Sequence, residues 1–262
     1  MKPFVFGLVV AAATVAAGPA ISADLPPAPA YKAPVAVPLP SPTWFVEGRA
    51  GAAFGNFNNF LFQNPVGAGP LNLNIGGNFV PLNPKNDSDT SWTAGASVGY
   101  FFSPNFFGKV SYQYFSALQA NGFADFRSIG GGIFRQDLKT SANTVMVGLG
   151  YDYYITKQIF LEPTAELGVG FLSSKGVQGA NLGTPANFPS ANRTNFVGGG
   201  GLGLGYHATS NVDFLVNGNY YWLGKADTGV TGNPPPAGMN TGEQLQAKLS
   251  VISLTAGARM KF

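Results

Sequence analysis

From residue 43 to Phe262, apolar and polar side chains alternate with a period of two in eight separate stretches. Period two is the mark of a β-strand with one greasy and one polar face. The stretches are 43–55, 90–102, 106–117, 142–154, 159–171, 194–207, 211–223 and 246–262. In the first, Trp44, Val46, Ala50, Ala52 and Phe54 share a face, with Glu47 and Arg49 on the other. The second sets Trp92, Ala94, Ala96, Val98, Tyr100 and Phe102 against Ser91, Thr93 and Ser97. The fifth sets Leu161, Ala165, Leu167, Val169 and Phe171 against Glu162, Thr164 and Glu166. The last sets Ile252, Leu254, Ala256, Ala258, Met260 and Phe262 against Thr255, Gly257, Arg259 and Lys261.

The connections alternate too. Three are short, at 103–105, 155–158 and 208–211; the other four, at 56–89, 118–141, 172–193 and 224–245, are long. A soluble domain rarely tolerates long structureless loops. Strict short–long alternation is the plan of an all-β, eight-stranded antiparallel up-and-down transmembrane β-barrel, with short periplasmic turns and long extracellular loops. The eighth strand must then pair with the first, because an open sheet edge in hydrocarbon leaves backbone groups unsatisfied.

Composition decides which face is wet. Charged residues are only 10% of the chain and aromatic residues 13%, with 36 Gly and a mean hydropathy of +0.10. Soluble domains carry about 25% charge. After the N-terminus no apolar run approaches the roughly 18 residues of a spanning helix. An eight-stranded barrel has an interior barely wide enough for side chains, so the broad aromatic face belongs outside. A lipocalin-like barrel would need the opposite inventory. Aromatic residues also gather at segment ends, at Trp44–Phe45, Phe101–Phe102, Phe106–Phe107, Tyr151–Tyr154 and Tyr220–Trp222. Membrane barrels place aromatic girdles at both interfaces.

The start, MKPFVFGLVVAAATVAAGPAISA, has Lys2, an apolar run and a small-residue end at Ala23. It reads as a cleaved secretory signal over 1–23. Residues 24–42, DLPPAPAYKAPVAVPLPSP, read as an extended Pro-rich periplasmic tether, since Pro lacks the ladder donor. That leaves 43–262 for the barrel. With Lys2 removed, 14 basic and 12 acidic residues give a net charge of +2, which points to no nucleic-acid partner. There is no Cys, hence no disulfide and no lipid attachment site.

The chain resembles the small OmpA-like outer-membrane β-barrel family, the porin-family or surface-antigen type, in its alphaproteobacterial variety. The resemblance rests on ADLPPAPAYKAP (23–34), FVEGRAGAAFG (45–55) and LTAGARMKF (254–262). It implies an abundant structural or surface protein of the Gram-negative outer membrane, not an enzyme, with outer-membrane lipid as its surroundings. It also implies that the C-terminal strand ending in Phe262 is the signal read by the barrel assembly machinery. Narrow pore activity, haem binding and host interaction occur among such proteins. With the barrel reaching Phe262, no OmpA-type peptidoglycan-binding domain is expected.

The inward face carries the candidate chemistry. Glu47, Arg49, Lys109, Asp152, Glu162, Glu166, Arg259 and Lys261 all fall on it or beside a short turn, and they balance roughly in sign. Buried charges must be paired. They make either a plug of salt bridges or a charged constriction for small solutes. His207 is the only histidine and offers neither a triad nor a metal cage. The G-x-G-x-x-G at Gly198, Gly200 and Gly203 lies inside a strand, so its glycines relieve crowding and do not cradle a dinucleotide. Asp87 and Asp89 are solvated loop carboxylates, with Ca²⁺ binding the lesser reading. No cofactor or metal is expected. The function expected is a structural, surface-exposed role of antigen, adhesion or host-interaction type, with loops meeting a host or environmental ligand. The alternatives are a narrow porin-like channel and a haem-binding surface receptor.

Overall fold

A computed structural model describes residues 43–63, 79–81, 83–86, 88–125, 133–179, 186–232 and 242–262. The expected signal sequence, the Pro-rich tether and half of the first long connection, Asp87 included, lie outside the described residues. Eleven strands are present among them: β1 (Thr43–Gln63), β2 (Phe79–Pro81), β3 (Asn83–Asn86), β4 (Ser88–Phe101), β5 (Phe106–Asp125), β6 (Ile133–Tyr151), β7 (Tyr153–Tyr154), β8 (Ile159–Gly179), β9 (Ala186–His207), β10 (Val212–Asp227) and β11 (Gln244–Lys261). The eight long ones form one antiparallel ring in the order β1-β4-β5-β6-β8-β9-β10-β11, and β11 closes onto β1. That last ladder runs from Phe45 opposite Lys261 to Gln63 opposite Gln244. The short strands add to this ring: β2 pairs with β1, β3 with β5 and β7 with β8.

One chemical device shapes all three short turns. In each, a Ser or Thr at or next to the start has a hydroxyl oxygen that accepts from the backbone N–H three residues on. Ser103 accepts from Phe106 at 3.1 Å, Thr156 from Ile159 at 3.0 Å and Thr209 from Val212 at 3.0 Å. Such hydroxyl contacts imitate a backbone turn and favour tight reversal.

At the short-turn half of the ring, the outer wall is apolar. Trp44, Trp92, Val110, Val147, Leu167, Leu202, Phe214 and Leu254 are exposed, while Glu47, Arg49, Lys109, Glu166 and Arg259 are buried inside. Towards the loop end the arrangement reverses. Phe57, Phe60, Phe62, Leu118, Leu138, Leu172, Phe188, Leu223, Leu245 and Leu249 are buried in one inward cluster. Their outward neighbours there include Asn58, Arg135, Lys139, Lys175 and Lys248, all exposed. The barrel is therefore inside-out in one half and built like a soluble barrel in the other.

Four β-bulges mark the ladders between the eight long strands, at Asn58/Leu61, Phe115/Leu118, Ser174/Gly176 and Trp222/Gly224. A bulge inserts one residue and shifts the phase of alternation. The spacing between inward side chains becomes three instead of two, from Phe57 to Phe60 and from Phe115 to Leu118. Asn59 and Gly224 take the positive φ these kinks require, 52° and 83°. Asn and Gly are the residues that adopt it most readily.

The long connections are accordingly shorter than the sequence pattern predicts. Much of 118–141 and 172–193 is strand, since β5 runs on to Asp125, β6 starts at Ile133, β8 runs to Gly179 and β9 starts at Ala186. Two causes hid this. Bulges broke the period in β1, β5, β9 and β10, and the outward face lost its apolar residues, which removed the contrast that alternation needs.

Candidate functional site in the lumen

The buried charges sit on four strands and one turn edge and meet at the centre of the ring. Arg259 on β11 lies directly opposite Glu47 on β1, a favourable cross-strand pairing. Its Nη2 donates to Glu47 Oε2 at 3.0 Å and to Glu162 Oε2, and its Nη1 lies 3.6 Å from Asp152 Oδ2. The guanidinium is fully buried, with its carbon 4.6 Å from the Phe45 ring centre and 4.8 Å from that of Phe107. Arg is suited to this position because its planar group stacks on rings while its edge donates to carboxylates.

A second tier stands above the first. Lys109 Nζ is 2.8 Å from Glu166 Oε1, and Ser111 Oγ donates to Glu166 Oε2 at 2.9 Å. Arg49 links the tiers, with Nη1 3.8 Å from Glu47 and Nη2 3.9 Å from Glu166. Its Nε donates to Gln113 Oε1 at 2.8 Å, Gln113 donates on to Thr93, and Thr93 Oγ1 to the Tyr114 carbonyl at 2.7 Å. Three cations and four carboxylates thus form one lattice of alternating sign. Glycines make the space: a Cβ at Gly148 would come 2.6 Å from the Glu166 side chain, and one at Gly257 3.0 Å from Arg49.

Lys261 stands apart from this lattice. Its Nζ pairs with Asp213 Oδ2 at 3.0 Å on the short-turn rim, where Asp213 Oδ1 also holds His207 Nδ1. The His207 ring stacks on Tyr154, with centroids 5.4 Å apart, and lies 4.7 Å from Phe160. Phe262 turns its ring outward, and its backbone exchanges two hydrogen bonds with Trp44, at 3.0 and 3.2 Å. Among the described residues no group of three or more potential ligands is placed to hold a metal ion.

Both ends of the lattice are closed by carbon. Phe45, Phe101 and Phe107 point inward and pack as a floor, their ring centroids 5.2–5.4 Å apart. This corrects their place in the predicted interfacial girdle, as does the inward, buried Tyr221. Parity carried the signal: Phe45 shares that of Glu47, Phe101 that of Ser97 and Phe107 that of Lys109. Two of the three rings lie over glycines, since a Cβ at Gly99 would fall 2.1 Å from Phe45 and one at Gly150 2.2 Å from Phe107. The ceiling is the inward apolar cluster of the loop half. Between them, Ser97, Asn217, Asn219, Ser253 and Thr255 present buried polar atoms without a hydrogen-bond partner among the described residues. Two glycines of β9 face this wall: a Cβ at Gly201 or Gly203 would strike Asn219 or Asn217 at 2.0 or 2.2 Å.

Comparison with known proteins gives one family match and several distant likenesses. The model of the outer membrane protein beta-barrel domain matches residues 62–259. No curated protein matches the chain. Among solved structures, Neisserial surface protein A (NspA) is 15% identical, with 84% of this chain and 97% of that one covered and a TM-score of 0.40. Ail, the attachment invasion locus protein of Yersinia pestis, is 13% identical, with 84% and 99% covered and a TM-score of 0.37. The outer membrane protease OmpT from Escherichia coli is 11% identical, with 84% and 97% covered and a TM-score of 0.49. Likeness at this level bears on no residue and no activity.

Proposed function

Because the chain belongs to the outer membrane protein β-barrel domain family, we propose that this barrel of the Gram-negative outer membrane works through its outer surface and loops and not through its lumen. The observation that carries this reading is the closure of the lumen at both ends. Phe45, Phe101 and Phe107 form the floor, the apolar cluster from Phe57 to Leu249 forms the ceiling, and the ions between them are consumed on one another. A plug of this kind supports the wall against collapse and offers no passage. The role is then structural and surface-exposed, of antigen, adhesion or host-contact type, with a partner met at the loop tips.

Export follows from the N-terminal segment 1–23, cleaved at Ala23, with 24–42 as the periplasmic tether. In this reading the assembly machinery recognises Phe262 before the ring closes; its outward ring at the seam with Trp44 supports that role. The second reading, a narrow channel, draws on the unpartnered polar wall of Ser97, Asn217, Asn219, Ser253 and Thr255. That wall lies between the two closures.

Planar-bilayer recording separates the readings. Purified full-length protein is expected to give no conductance steps above those of an empty bilayer. Reproducible steps that change on Glu166→Ala would overturn the surface-only role and favour the channel.

A further inference from the structure

Two pairs of lysines face each other on the outer wall, outside the lumen lattice. Lys139 on β6 is the direct cross-strand partner of Lys175 on β8, and Lys225 on β10 that of Lys248 on β11. Their inward neighbours Leu138, Ser174, Ala226 and Ala247 are buried, so all four lysines point away from the lumen. Like charges directly opposed on a sheet repel. Two such pairs in one ring are a cost unless something anionic lies against them.

Their height is the second observation. Lys139 and Lys175 lie two outward rows beyond Asn143 and the exposed Phe171. Lys248 lies two outward rows beyond the exposed Ile252. Four residues of strand span about 13 Å. Lysine stems can lie along apolar wall while their heads stay polar. Both pairs therefore stand where acyl chains end and headgroups begin.

The pairs are not equivalent. Lys225 Nζ is 3.4 Å from Asp227 Oδ2, whereas Lys139 and Lys175 have no acidic partner among the described residues. Beside them opens a groove of about 460 Å³, which Gln119, Asn187 and Ser190 also line. Asp137 borders it too, but its carboxylate accepts from Arg135 Nε at 3.0 Å. Two ammonium groups and three neutral donors thus surround one concavity on the side wall.

We propose that this groove binds a phosphate group of an outer-leaflet lipid, with the acyl chains lying down the wall over Phe171 and Val169. The site faces sideways, in the plane of the membrane, and not upward from the loop tips. That placement favours a lipid over a soluble polyanion.

The test uses full-length protein refolded into phosphatidylcholine nanodiscs that contain either bisphosphorylated lipid A or its dephosphorylated form. Native mass spectrometry counts retained lipid, and tryptophan fluorescence follows thermal unfolding. Wild-type protein is expected to retain the phosphorylated form about tenfold better. The double variant Lys139→Gln, Lys175→Gln is expected to lose most of that preference, and Lys175→Gln alone about threefold of it. Lys157→Gln, on a short turn, should lose none. The stability readout should change sign: without phosphorylated lipid the double variant unfolds at the same or a higher temperature than wild type, and with it at a lower one. Equal retention of the two lipids by wild type overturns the proposal. So does an undiminished preference in the double variant.

Discussion

Arg259 is the residue on which most of the lumen converges. It neutralises Glu47 and Glu162, approaches Asp152, and fills the space between two phenylalanine rings. Removing one partner of a buried ion pair leaves an uncompensated charge, at a cost of about 3–5 kcal/mol. Arg259→Met keeps the packing length and deletes the charge, so it is expected to lose about that much stability, read as a shift in urea unfolding in micelles. Lys157→Met on an exposed turn should stay within about 0.5 kcal/mol of wild type. Equal effects of the two substitutions would mean that Arg259 is held by its rings and not by its carboxylates. At this scale the sequence was informative: parity alone put Glu47, Arg49, Lys109, Glu162, Glu166 and Arg259 on one face. It did not show that Lys261 belongs to a separate rim pair with Asp213, because register across three strands decides that.

Among the elements, the β9–β10 junction is held over its upper part by side chains and not by a ladder. Its ladder stops at Trp222 opposite Gly198, although both strands continue. Beyond that point the Asn195 amide donates to the carbonyls of Leu223 and Lys225, each at 2.8 Å, and Arg193 pairs with Asp227. Gly224 has to be glycine here, since its φ is 83° and a Cβ would meet Asn195 at 3.0 Å. Asn195→Leu keeps the bulk and deletes both donors, and a buried polar group left unpaired costs about 1–3 kcal/mol. In hydrogen exchange, the Gly229 amide, which donates to Pro189 at 2.7 Å, is expected to lose protection while the β4–β5 ladder keeps its own. Uniform loss around the ring would refute a local clasp. These strand ends also show why the elements were only partly legible. The sequence pattern stops at 55, 117 and 194, close to the bulges at Asn58, Phe115 and Phe188, where period two fails for a geometric reason. In β6 and β8 there is no comparable break on the inward side, and the extra strand was lost because Lys139 and Lys175 replaced apolar residues outside.

For the whole molecule, ring closure is the property that everything else assumes. A closed barrel of this kind is expected to resist SDS until heated, so boiled and unboiled samples should migrate differently; identical migration would argue against a closed ring. Phe262→Ala should separate assembly from stability. The backbone contacts of Phe262 to Trp44 survive that change, so refolding into micelles is expected to be unaffected while accumulation in the cell envelope falls. The reversal of polarity along the barrel axis has one more consequence. Above the apolar band the wall is wetted outside and dry inside, so it needs no lipid to stand. From Phe171 to Gly179, β8 rises about 27 Å along its own length, or about 20 Å along the barrel axis for a typical barrel tilt. That stretch is a stiff pedestal. It carries the described strand ends at Asp125, Ile133, Gly179 and Ala186 beyond the lysine row, so a large particle approaching the cell meets that rim before it meets the apolar wall.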